Sequence, residues 1–208
     1  MQKRHVALGV AALAGALALT ACGSDGKDSA GKGPAGSASA SAPADDKPAA
    51  SPVSWPAPTD ASTQVKAAGL PMLGQEGQVL HIHSHLDVFV DGKTVTVPAE
   101  IGIDEAKQQI SPLHTHDTSG VVHIESPVKA DFTLGQFMTE WSVPVSKVAL
   151  GPLKTGGGMA LHVYVNGKEQ SGDPAAVRLG AHDEIAIVYG PAAGTVHVPA
   201  SYNWPEGL

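Results

Sequence analysis

The run from Val79 to Val90 alternates two kinds of side chain with a period of two, and the dipeptide Asp91-Gly92 and a second short apolar run from Lys93 to Val97 follow it directly. Period-two alternation belongs to a strand, whose successive side chains point to opposite faces, and Asp-Gly is a two-residue hairpin turn. Pairing Val90 with Lys93 sets Val88 opposite Val95 and Leu86 opposite Val97, so one face of the ribbon is apolar throughout. The other face carries His81, His83, His85 and Asp87, with Phe89 at the turn end. A slip of one residue would bury all four polar side chains, so the pattern sets both the register and the facing.

A second histidine-rich stretch is Leu113-His-Thr-His-Asp-Thr-Ser-Gly-Val-Val-His-Ile-Glu125. Ser111-Pro112 and Asp117-Thr-Ser-Gly120 hold His114 and His116 in irregular backbone. Val121 to Glu125 reads as a strand, with Val122 and Ile124 facing the core and His123 and Glu125 sharing the opposite face. Six of the ten histidines fall between His81 and His123, a concentration that composition alone does not produce.

Alternate residues of a strand have Cα atoms about 6.6 Å apart, close enough for two imidazoles to converge on one ion; a row of three spans about 13 Å, which is too long. The expected metal ligands are therefore His83, His85, His114 and His116, with His81 or His123 as substitutes. Asp87, Asp117 and Glu125 are the carboxylates placed to accept from the imidazoles and fix their tautomers, and Asp117 could also ligate directly. A nitrogen and oxygen donor set without thiolate suits zinc or copper as the divalent ion. His162, His182 and His197 each stand alone and are expected to be structural.

Elsewhere the chain has one strong helix signal. Thr133 followed three residues later by Gln136 is a capping box, and Leu134, Phe137, Met138 and Trp141 recur at helical spacing until Pro144. Ser62 to Ala68 is a weaker helix, ended by Gly69. A second hairpin runs from Ala160 to Gln170 around Asn166-Gly167, and a last strand covers Glu184 to Tyr189. The order of hairpin, inserted histidine segment, helix, hairpin and strand predicts an α+β domain with a β-grasp-like mixed sheet; an all-β sandwich is the alternative.

Residues 1–21 read as an export signal, with Lys3 and Arg4 before an apolar stretch. Leu19-Thr-Ala-Cys22 resembles a bacterial lipobox, which implies a lipid on the Cys22 thiol that anchors the chain to the outer face of the cell membrane. Cys22 is the single cysteine, so no internal disulfide is available. Residues 22–59 are rich in Gly, Ser, Ala and Pro and are expected to be a flexible tether, leaving 60–208 as the metal-binding domain. Without the signal the chain carries eleven basic against twenty acidic residues, a balance that argues against a nucleic-acid partner.

The combined pattern is His-x-His-x-His-Leu, Val-Asp-Gly-Lys, Pro-Ala-Glu-Ile-Gly-Ile and His-Thr-His-Asp-Thr-Ser-Gly-Val-Val-His-Ile-Glu-Ser-Pro, with a closing Tyr-Asn-Trp-Pro-Glu-Gly-Leu. It resembles a family of uncharacterised exported bacterial and archaeal proteins over most of residues 79–208. The resemblance implies the same histidine-lined site and carries no activity with it. The residues themselves leave three readings: a lipoprotein that captures, buffers or hands on the ion; a hydrolase or lyase in which three histidines leave a position for water and Glu125 or Asp117 is the general base; and a surface module whose histidines are structural. A protein partner is not specified by any motif.

Overall fold

Two Asx-Gly dipeptides shape the sheet. Asp91 and Gly92 have φ of 51° and 73°, and Asn166 and Gly167 repeat the same values. Two successive positive φ angles make the type I′ turn, whose twist matches that of the strands it joins, and Asn, Asp and Gly are the residues that adopt it at least cost. The first turn joins β1 (Leu80–Val90) to β2 (Lys93–Val95), with Val88 opposite Val95 and Val90 opposite Lys93, as the alternation predicts. Val97 lies beyond the end of β2 but is buried in the core.

The computed structural model describes residues 49–208. The export signal, Cys22 and most of the expected tether lie outside the described residues. Within them, no helix is long and apolar enough to cross a membrane.

The remaining strands of the main sheet are β3 (Leu113–His114), β4 (Val121–Ser126), β5 (Met159–Val165), β6 (Lys168–Glu169) and β7 (Glu184–Pro191). They form a seven-stranded mixed sheet in the order β6-β5-β7-β1-β4-β3, with β2 also paired to β1. β1 is the central strand. One edge runs parallel to β7 from His85 to Val90; the other is antiparallel to β4 from Leu80 to His85 and then to β2. The histidine segment is thus an integral edge of the sheet and not an insertion: His114, expected in irregular backbone, lies on β3 paired with His123, and β3 and β4 extend the sheet beyond the first half of β1.

The two faces of this sheet differ in chemistry. Leu86, Val88, Leu113, Val122, Ile124, Ile185 and Ile187 share one face and belong to a single buried cluster with the helix residues Leu134, Phe137, Met138 and Trp141. The helix is α2 (Leu134–Glu140), and its capping box is formed: Thr133 accepts from the Gln136 amide at 3.3 Å, and the Gln136 side chain accepts from the Thr133 amide at 3.0 Å. A shorter helix, α1 (Ala61–Ala67), ends before Gly69 at φ 74° and buries Val65 completely. Helix and mixed sheet make this an α+β domain built on one main sheet, not on two large sheets face to face.

The domain begins earlier than residue 60. The Ser51 amide donates to the Thr94 carbonyl at 2.6 Å, and the Thr94 amide to that of Ala49 at 3.0 Å. Trp55 packs edge-on against Trp141, ring centroids 6.0 Å apart, and its carbonyl accepts from the Trp141 indole at 3.0 Å. Val53, Trp55 and Ala57 are the apolar residues in a segment otherwise like the tether, and all three pack against the core.

Candidate metal centre

The second face of the sheet carries the histidines. His83 on β1 lies beside His123 on β4, and His123 lies beside His114 on β3, so three adjacent strands supply one cross-strand row of imidazoles. One step along, His81 lies beside Glu125. His116 follows β3 and folds back over the row. Ring centroids are 5.2 Å apart for His81 and His83, 4.5 Å for His83 and His123, 5.1 Å for His114 and His123, and 4.6 Å for His116 and His123. Two segments separated by about thirty residues therefore bring five of the six expected histidines into one continuous cluster.

Depth is graded across it. His83, His114 and Glu125 are buried, His123 is half-buried, and His81 and His116 stand at the rim with side chains 46% and 45% exposed. His114 is the best-defined member. Its Nδ1 lies 3.0 Å from the Ser111 carbonyl oxygen, which can only accept, so the proton sits on Nδ1 and the Nε2 lone pair is free. That Nε2 is buried and has no hydrogen-bond partner; the same holds for Nε2 of His83 and for Oε2 of Glu125. Burial pushes His114 down to about 3, and burial, with His123 and His81 beside it, brings His83 to about 4. Both are therefore neutral at ordinary pH, the form that binds a metal.

Glu125 is the acidic centre of the cluster. Its Oε1 accepts from His123 Nδ1 at 3.1 Å and lies 3.3 Å from His81 Nε2 and 3.9 Å from His114 Nε2. Burial raises its pKa, but the hydrogen bond from His123 and the neighbouring imidazoles outweigh that and hold the carboxyl below its usual range. The ionised form accepts the His123 Nδ1 proton and leaves Nε2 of that ring free to ligate. Three donor groups in this cluster have ligand atoms all within 4.8 Å of one another: His114, His116 and His123; His81, His83 and Glu125; and Glu76, His114 and Glu125. These buried histidine and glutamate groups could hold a metal ion.

Three expected residues lie elsewhere. His85 continues the alternation of β1, but its neighbour on β4 is Val121, and on the other side Glu184 opens β7. Its Nδ1 is 2.8 Å from Glu184 Oε2 and its Nε2 is 2.9 Å from the Ser119 carbonyl, so both nitrogens are engaged. Burial alone would lower its pKa, yet the hydrogen bond and charge of Glu184 raise it. Asp87 joins His85 and Glu184 in a separate group whose ligand atoms also lie within 4.8 Å of one another, apart from the cluster. Asp117 is exposed, and its Oδ1 accepts from the Ser119 amide at 2.8 Å, shaping the loop. In the other direction, the sequence reading missed Glu76, which sits 3.7 Å from His116 Nε2, and Glu184. Of the isolated histidines, His162 pairs with Glu169 at 2.6 Å across its own hairpin, and His182 stacks on Trp204 with centroids 4.7 Å apart.

Fold and site together define an α+β domain that presents a cluster of histidines around a buried carboxylate on the outer face of its sheet. No protein-family model matches the chain, and no curated protein or solved structure matches it either.

Proposed function

We propose that this protein captures a divalent transition metal, zinc or copper, outside the cytoplasm, and buffers it or hands it on. One observation carries the reading: His114 is fully buried with its Nδ1 proton committed to a backbone carbonyl and its Nε2 lone pair directed into a cluster of imidazoles without a hydrogen-bond partner. A buried acceptor with no partner costs about 1–3 kcal/mol, and a metal ion would remove that cost. The exposed rim histidines, His81 and His116, give an ion a route from solvent to the buried donors, as capture and release require.

The donors are nitrogen and oxygen, which suits zinc or copper. The export signal and the lipobox around Cys22 support a lipid-anchored protein on the outer face of the cell membrane. The hairpin, helix, hairpin and strand order supports a β-grasp-like arrangement of the sheet. Calorimetric titration with Zn²⁺ and with Cu²⁺ tests the function: at least one ion binds tightly, and His114→Ala weakens that binding tenfold or more. Equal affinity in the two proteins would remove the reading.

A further inference from the structure

The donors of the cluster divide into two sets. Among the described residues, no group of three mutually close donors contains both His83 and His114. These two residues sit on β1 and β3, which flank β4, so their backbones are separated by two strand spacings, about 9.6 Å. A zinc ion holds imidazole nitrogens at about 2.1 Å, and its ligand atoms are therefore at most about 4.2 Å from one another. The mutually close donor atoms accordingly fall into separate sets, one containing His83 and another containing His114.

We infer that the cluster holds two divalent ions side by side, one against His81, His83 and Glu125 and the other against His114, His116 and His123, with the Glu125 carboxylate between them. The inference rests on the metal-binding reading above. Each set contains one buried imidazole whose Nε2 has no hydrogen-bond partner, His83 in the first and His114 in the second. A single ion in either set would leave the other nitrogen as it is.

Glu125 is the group common to both. Its Oε1 touches His81 on one side and His123 on the other, its Oε2 is buried without a partner, and it forms one close donor group with His81 and His83 and another with Glu76 and His114. A carboxylate between two dications offsets their mutual repulsion, and Glu76 at the rim adds a second negative charge beside His116.

The experiment is the stoichiometry of the full chain, by native mass spectrometry with Zn²⁺ as the probe. Two tightly held ions are expected in the wild type, and one in each of the double variants His81→Ala/His83→Ala and His116→Ala/His123→Ala, with circular dichroism confirming the fold. With Cu²⁺ as the probe, the two spins are expected to couple in the electron paramagnetic resonance spectrum. One ion per chain at saturation overturns the two-ion centre and leaves the metal-binding reading standing, whereas no bound ion removes both. Two Cu²⁺ ions with uncoupled spectra, or a double variant that still holds two ions, overturns the shared arrangement.

Discussion

The His85 imidazole lies flat against the Tyr202 ring, with centroids 3.9 Å apart and planes 9° from parallel, while its edge meets the Glu184 carboxylate. The ring is thereby enclosed by the C-terminal segment on one side and held by β7 and the Ser119 carbonyl at its nitrogens. Its role is to join elements distant in sequence, which sets it apart from His81 and His83 on the same strand face.

His85→Ala should therefore destabilise the fold and leave metal binding intact. The substitution strands Glu184, 1% exposed and already with an unpartnered Oε1, in the interior. Leaving a buried carboxyl without its hydrogen-bond partner costs on the order of 1–3 kcal/mol. Urea denaturation with parallel metal analysis checks this; a loss of metal with unchanged stability would place His85 in the centre instead.

Glu140 gives a pH dependence of known sign. It is buried behind the apolar face, accepts from Ser111 Oγ at 2.7 Å, and burial pushes its carboxyl up to about 8 from the ordinary 4.5. Between those values the folded chain keeps a proton that the unfolded chain has lost, so stability falls as pH rises through this window, by up to about 1.4 kcal/mol per pH unit. His83 and His114 act oppositely in the metal-free protein: their lowered values make stability fall as pH drops below 6.5 towards about 4 and about 3. The difference between wild type and Glu140→Gln isolates the carboxyl. The variant should gain on the wild type from pH 5 to pH 8, and parallel stability curves would contradict the assignment.

Much of the sheet was legible because its information is local. The alternation along β1, the two Asx-Gly turns and the Thr133 capping box each act within a few residues, and each formed in the expected register. The two histidine segments also carry their own facing, which is why His81, His83, His114, His116 and His123 meet. Which strand flanks β1 on its other side was not legible. β7 joins in parallel, and it places Glu184 against His85 from 99 residues away, a pairing to which the alternation in β1 is blind. Glu76 was missed for the same reason: it is a single acid among Gly and Gln residues, brought to His116 only by the tertiary fold.

The start of the domain is a further case. Residues 49–59 have a tether-like composition, but three apolar side chains and the hydrogen bonds to Thr94 and Trp141 fasten them to the core. A chain beginning at Asp60 should be less stable than one beginning at Ala49, and Trp55→Ala alone should cost on the order of 1–3 kcal/mol. Thermal unfolding of the three proteins checks this, and equal midpoints would show the segment to be a tether after all.

The most direct test of a metal centre built by two histidine segments is elemental analysis of the purified protein beside its His114→Ala/His116→Ala variant. The account predicts zinc or copper in the native protein and the loss of at least one ion per chain in the variant, with the fold retained. Equal metal content in the two would contradict it.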